Sequence, residues 1–465
     1  MDVVIVAKIL CWYALGRRGE VLYKRCQETV DDAALQEAVQ CFQAAAQLSS
    51  NGIGDLPYIL TRLALALQTR YKRGGVLADL DNAITKHGEA LELIPQGHSL
   101  RCAILNNFAN SLLIRFERVG DRADLDDGIN KYGEALELTP PGDSNRSSSL
   151  MNLASALLTR FEQVGDRADL DECITKHGEA LELRSPGHPG YSSNLMNLAN
   201  ALLTRFRQVG DLAALDDCIT KSREALDLRP PGHPLRSSNL MNFANALLTR
   251  FQRVGDRADL DDGITKYREA LELTPPGDSN RSSSLMNFAS ALLIRFKQVG
   301  YRADLDDCIT KCGEALELMP PGHPSRPTTI MNLASTTLTR FGQVGDRADL
   351  DNGIAKYGEA LELMPPGYPM RSSNLVNLGT ALFTRFIQAG HRVDLDDSIT
   401  RHGEALELIP PGHPLRSLNL RSLALALSTS ARVITTVTLM YVLPSSLFTW
   451  NTYVYALAIN LPFQM

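Results

Sequence analysis

Seven asparagines recur along this 465-residue chain at intervals of 45: Asn107, Asn152, Asn197, Asn242, Asn287, Asn332 and Asn377. Around them a stripe such as Ser148, Asn152, Ser155 and Thr159 follows a 4-3-4 spacing, which puts these side chains on one face of a helix. A carboxamide both donates and accepts hydrogen bonds, so such a ladder can pair with the backbone of an extended peptide, or equally with neighbouring helices. Asn110, Asn200 and Asn245 extend the ladder by one turn. A charged column runs beside it, through Arg70, Arg115, Arg160, Arg205, Arg250, Arg295, Arg340 and Arg385. Its guanidinium groups suit acidic or phosphorylated segments. The equally periodic Asp81, Asp126, Asp171, Asp216, Asp261, Asp306, Asp351 and Asp396 favour structural pairing instead. Arg115, Arg160, Arg205 and Arg250 are thus set against Asp126, Asp171, Asp216 and Asp261 as structural ion pairs. Glu89, Glu134 and Glu179 read as solvated or ion-paired helix residues.

Other reactive side chains form no constellation. His98, His188, His233, His323 and His413 fall in one loop column, one per repeat. Consecutive members should stand roughly 10 Å or more apart, too far to share an ion, so no metal is expected. His87, His177 and His402 share a helical slot with Tyr132 and Tyr267, where packing is the expected role. Cys173, Cys218 and Cys308 alternate with glycine, alanine and serine at one position that demands a small side chain; all eight cysteines read as reduced thiols. No Ser/His/Asp or Cys/His arrangement, phosphate-binding loop or dinucleotide fingerprint stands out, so no catalytic residue and no cofactor is expected. With 47 basic and 53 acidic residues the chain carries a net charge of −6, which argues against nucleic-acid binding driven by bulk charge. Asn145-Arg-Ser147 and Asn280-Arg-Ser282 match the glycosylation sequon, by chance on this reading.

The elements that must carry these columns are helical. Gly75, Gly120, Gly165, Gly210, Gly255, Gly300, Gly345 and Gly390 recur every 45 residues, and a second column runs from Gly97 to Gly412 beside a Pro-Pro-Gly connection. Between them each repeat predicts two helices. Helix A, about 147–163, carries the apolar stripe Leu150, Leu153, Ala154, Leu157, Leu158 and Phe161 and ends at Gly165. Helix B is expected to open at Asp169 as N-cap, with Glu172 three residues on, and to bury Ile174, Ala180, Leu181 and Leu183. Lys176 should pair with Glu172 one turn earlier. A pair this short cannot bury its stripe alone, so neighbours must stack into an all-α solenoid. The expected organisation is an N-terminal capping helix over 1–30, a solenoid over 31–430 with eight complete pairs and flanking half-units, and an apolar tail over 431–465. Gly142-Asp-Ser-Asn-Arg146 returns as Gly277-Asp-Ser-Asn-Arg281, which points to duplication of a three-repeat block.

Helix B has the spacing small-x3-aromatic-x2-Ala-x4-Pro, complete in Gly128, Tyr132, Ala135 and Pro140. With Leu153, Ala154 and Leu157 on helix A, the repeat resembles the tetratricopeptide repeat over 31 to about 429. The resemblance implies a right-handed superhelix of antiparallel helix pairs, with helix A lining the concave groove that receives a protein or peptide. The long form, with its Asp-Leu-Asp segment, looks like the arrays that precede caspase-like CHAT domains in fungal proteins. A carboxylate clamp for chaperone tails would need lysines where Met151 and its equivalents stand. The expected function is therefore a non-catalytic binding scaffold. The alternatives are the sensor arm of a CHAT-type effector without its catalytic domain, or a tail-anchored adaptor.

The ends are less regular. Residues 1–15 are interrupted by Asp2 and Lys8 and make a poor signal peptide, so a cytoplasmic location is expected. The template is abandoned after Thr429, and from Val433 to Met465 no charged residue occurs. That run reads as a membrane anchor, as an apolar cap, or, the favoured reading, as an off-template end replacing further repeats and an effector domain.

Overall fold

The computed structural model describes residues 3–49, 55–143, 145–278 and 280–442. Among these residues there are nineteen helices and no strand. The fold is all-α, as the 45-residue period predicts. The final segment 443–465, on which the anchor, cap and off-template readings mostly turn, lies outside the described residues.

The chain divides into two compact units, Met1–Pro231 and Gly232–Met465. The N-terminal unit holds α1 (Val3–Glu28), α2 (Asp32–Ser49), α3 (Leu56–Gly74), α4 (Leu77–Leu93) and α5 (Arg101–Val119). It continues with α6 (Arg122–Glu137), α7 (Arg146–Val164), α8 (Arg167–Glu182), α9 (Tyr191–Val209) and α10 (Leu212–Asp227). The C-terminal unit holds α11 (Arg236–Val254), α12 (Arg257–Leu273), α13 (Arg281–Val299), α14 (Arg302–Leu318) and α15 (Arg326–Val344). Its last helices are α16 (Arg347–Glu362), α17 (Arg371–Ala389), α18 (Arg392–Leu408) and α19 (Pro414–Val442). From α1 to α18, each odd-numbered helix A packs along the even-numbered helix B that follows it. The helix over 3–28 pairs with α2 in the same manner, burying Tyr23 and Cys26 against Phe42 and Leu63.

The α7–α8 pair shows how the sequence forms the repeat. Leu150, Leu153, Ala154, Leu157 and Phe161 are buried, as a stripe of three- and four-residue spacing requires. Gly165 then takes φ 77°, and its N–H donates to Phe161 O at 2.7 Å. Only glycine enters this left-handed conformation cheaply, so the helix stops there. Helix B starts at Arg167, earlier than the spacing predicts. Its N-cap is Asp166, whose carboxylate accepts from Ala168 N at 3.0 Å, and not Asp169. Asp169 is buried and occupied elsewhere, as shown below. Two smaller expectations also shift. Lys176 pairs with Glu179 at 3.2 Å rather than with Glu172, and Leu183 is 46% exposed. Ala180 is buried as expected, Ile174 and Leu181 are half-buried, and Leu170, Cys173 and His177 are buried beside them.

The small slot on helix B marks the close approach of the two helices. At Gly128 an added Cβ would sit 3.3 Å from Leu113 Cδ2. Such tightness explains glycine, cysteine, alanine and serine at this position. Cores run from pair to pair within each unit: one joins Phe116 of α5, Tyr132 of α6, Leu157 of α7, Cys173 of α8 and Ala201 of α9. In the C-terminal unit a comparable strip joins Ile330, Tyr357 and Leu382. No pair closes its core alone. Described cysteines are free thiols, and burial pushes the Cys173 thiol up to about 12.

Candidate functional site

Helix A presents the asparagine column at its surface. Asn107, Asn152, Asn197, Asn242, Asn332 and Asn377 are half-buried, and Asn287 is exposed. Asn377 lies against the Tyr357 hydroxyl. The carboxamides of the other six make no hydrogen bond within the described protein. A half-buried amide without a partner still offers its donors and acceptor to whatever lies against the helix. In the N-terminal unit Asn107 and Asn152 line opposite walls of a cavity of about 520 Å³ between α5 and α7, with Thr139, Asp143 and Ser148. Its counterpart in the C-terminal unit, about 200 Å³ between α11 and α13, is lined by Asn242, Asn287, Thr274, Asp278 and Ser283. These five residues lie 135 positions after their counterparts, so the duplicated block carries the cavity with it.

The second rung of the ladder divides. Asn110 Oδ1 accepts from the Tyr132 hydroxyl and Asn245 Oδ1 from Tyr267, so both acceptors are committed to the fold. Burial pushes both phenols well above their usual range, which keeps them protonated donors. Asn200 has Ser222 in place of the tyrosine at the equivalent position of helix B, and stays exposed. Sequence spacing put all three in one class because the tyrosine partner belongs to the following helix B.

The arginine column is structural in its geometry. Arg160 Nε and Nη2 grip Asp169 Oδ2 and Oδ1 at 2.8 and 2.6 Å, and Nη1 reaches Asp126 Oδ1 at 3.3 Å. One guanidinium on α7 therefore ties α8 to α6 of the preceding pair. Arg115 does the same with Asp124 and Asp81, and Arg295 with Asp304 and Asp261. Arg250 grips Asp259 at 2.7 and 2.6 Å. The sequence reading named only the outer carboxylates. The buried inner ones, spent there as helix caps, make the bidentate bond and are what raise the arginines' pKa values furthest. Arg205 is the exception, because Ala214 stands where the inner aspartate should be; it reaches Asp171 at 3.6 Å and Asp211 at 3.5 Å. Asp216 lies on α10.

The histidines divide too. His98, His188, His233, His323 and His413 accept on Nδ1 from the backbone N–H two residues on, at 3.0–3.2 Å, and so hold the loop before helix A. Asp143 and Asp278 make the same turn at 2.7 Å. His177 and His402 are buried and meet Asn194 and Asn419 at 2.7 and 2.6 Å. Neither asparagine was singled out from the sequence, although each stands 17 residues after its histidine. A second arginine column was missed as well: Arg146 Nη1 donates to Leu136 O and Thr139 O at 3.0 and 2.6 Å, satisfying the end of the preceding helix B. Its period was as visible as that of the first. Among the described residues no group of three His, Cys, Asp or Glu side chains is placed to hold a metal, and no helix is long and apolar enough to cross a membrane.

No protein-family model matches the chain, and no curated protein matches it. Solved structures with similar helix-pair arrays do. The C-terminal part of a TPR repeat-containing protein from Cytophaga hutchinsonii is 14% identical over 68% of this chain and 98% of that one, with TM-score 0.44. A STAND ATPase with a tetratricopeptide repeat sensor from Pyrococcus horikoshii is 10% identical over 80% of this chain and 49% of that one, with TM-score 0.49. YrrB, described as a TPR protein with an unusual peptide-binding site, is 13% identical over 51% and 93%, with TM-score 0.34.

Proposed function

We propose that this array of tetratricopeptide-like helix pairs is a non-catalytic scaffold, which holds an extended segment of a protein partner along its helix-A face. One observation carries the reading: the amides of Asn107, Asn152, Asn197, Asn242, Asn287 and Asn332 recur at one place in the repeat, stand at the surface and are unused by the fold. Within each unit, amides repeated on successive A helices offer donors and acceptors to an extended backbone, whose own donors and acceptors also repeat. Arg115, Arg160, Arg250 and Arg295 are ion-paired within the fold, and the loop histidines hold turns.

The test replaces Asn152, Asn197, Asn242 and Asn287 with alanine together. These side chains make no internal hydrogen bond, so each change should shift stability by less than about 0.5 kcal/mol. Capture of partner proteins by the tagged chain should fall at least about tenfold, as loss of several backbone hydrogen bonds implies. Undiminished capture by the folded variant would sink the ladder. A second reading, the sensor arm of a CHAT-type effector, is favoured by the 45-residue Asp-Leu-Asp repeat, and sequencing the transcript across codon 430 tests it.

A further inference from the structure

Around the start of α9 the chain departs from its own repeat at three positions. Arg184, like Arg229 one pair later, stands where the other pairs carry Ile94, Thr139, Thr274, Met319, Met364 or Ile409. Gly190 stands where others carry leucine, asparagine, serine or methionine, and Tyr191 replaces the arginine that elsewhere serves the carbonyls of helix B. The first two departures meet at one point. A Cβ at 190 would lie 2.2 Å from Arg184 Nη1, so glycine is what leaves the guanidinium its place. From there Nη2 donates to Ser148 Oγ at 2.6 Å and Nη1 lies 3.5 Å from Met151 Sδ. Ser148 lines the cavity between α5 and α7, one helical turn from Asn152. No carboxylate of the described protein pairs with Arg184, and its Nε is buried without a hydrogen-bond partner.

A guanidinium is charged at every physiological pH, and half-burying one without a counter-ion costs free energy that a fold does not recover by itself. Burial accordingly lowers the Arg184 pKa, where the aspartates raise that of Arg160. Arg229, at the same place one pair later, is buried and donates to Ser192 and Ser193 of its own pair. Arg184 is instead half-buried and reaches the exposed Ser148 of α7.

We propose that Arg184 is the subsite for an acidic side chain, a carboxylate or a phosphorylated serine or threonine, of the peptide whose backbone lies along Asn107 and Asn152. This rests on the scaffold reading above. The missing counter-ion comes from the ligand and completes a charge-assisted pair beside Ser148, which lines the cavity.

The test is an array of immobilised decapeptides with degenerate flanks and a central glutamate, phosphoserine, glutamine or lysine. It is probed with the full chain and with its Arg184→Met, Arg184→Lys and Asn152→Ala variants. Methionine stands at the equivalent positions 319 and 364, so Arg184→Met should fold, and thermal melts check it. The wild-type chain should retain glutamate or phosphoserine peptides roughly tenfold better than glutamine peptides, the worth of one charged hydrogen-bonded pair. Arg184→Met should lose that preference while retaining glutamine peptides as before, and Arg184→Lys should keep part of it. Asn152→Ala should weaken all four classes alike. Equal retention of glutamate and glutamine by the wild type, or a preference that survives Arg184→Met, overturns the assignment of Arg184. Binding of no peptide, or an Asn152→Ala chain that binds like the wild type, overturns the groove itself. The ratio of glutamate to phosphoserine signal separates the two acidic sources.

Discussion

Three histidines occupy the same slot of helix B, yet their neighbours give them different chemistry. His177 and His402 each share a short contact with a buried asparagine, Asn194 and Asn419, which offsets part of the cost of burial. Ile104 stands at that place for His87, whose ring stacks on Phe108 and leaves both nitrogens without a partner. Burial holds His87 down to about 4, against an ordinary value of 6.5. The folded chain therefore keeps this ring neutral where the unfolded chain protonates it. Its contribution to stability is complete above pH 6.5 and drains away as pH falls toward 4, by about 1.4 kcal/mol per unit. His87→Phe should shrink the loss of stability between pH 7 and pH 5 by roughly 1–2 kcal/mol on that basis, read from urea unfolding midpoints. Equal losses in both chains would show that His87 does not titrate as its burial requires. The slot was legible as a packing position. Which histidine lacked a partner was not, because the partner sits on the next helix A.

At the scale of the element, the unit of stability is the arginine that holds three helices. Sequence periodicity found the arginines and the outer aspartates, and it read Asp169 as a cap because caps are what aspartates at helix starts usually are. Asp166, three residues earlier, already fills that role, which frees Asp169 to be buried against Arg160. The α9–α10 pair lacks this device, since Ala214 stands at the inner position and Arg205 makes only long contacts. Ala214→Asp should restore the bidentate pair and slow amide exchange in α9 and α10 roughly tenfold, as one charge-assisted pair implies. Unchanged exchange would mean that Arg205 cannot reach the new carboxylate. Gly353 offers the opposite test, because an added Cβ would stand 2.6 Å from Leu338 Cγ. Gly353→Val should cost about 1–3 kcal/mol by overpacking, measured by chemical denaturation; a neutral result would show that Leu338 moves aside freely.

For the molecule as a whole, packing is local. Within each unit the principal contacts of a helix are with its immediate sequence neighbours, and the cores are strips running through successive pairs. Stability in such an array is approximately a sum of pair and neighbour terms, so damage should stay where it is made. Asp169→Ala leaves the half-buried Arg160 with Asp126 alone. It should accelerate amide exchange in α6, α7 and α8 by at least tenfold, as loss of about 2 kcal/mol implies, while α15 to α18 keep their protection. A uniform rise along the whole chain would contradict local packing.

The amino-acid sequence by itself determined the architecture. A period of 45, glycines able to take positive φ where helix A ends, and apolar stripes at helical spacing leave a stack of helix pairs as the way to bury the stripes. It also placed the asparagines on one face, because facing follows from spacing within a single helix. Only tertiary structure decided which of these side chains are free. Asn110 and Asn245 are taken by tyrosines of the following helix B, Asp169 by an arginine of the preceding helix A, and Asn152 by nothing. Arg184 gained meaning the same way, from a glycine six residues on and a serine 36 residues back. Spacing along one helix sets direction, but whether a polar group is spent depends on the helix packed against it, and that partner is not written in the group's own neighbourhood.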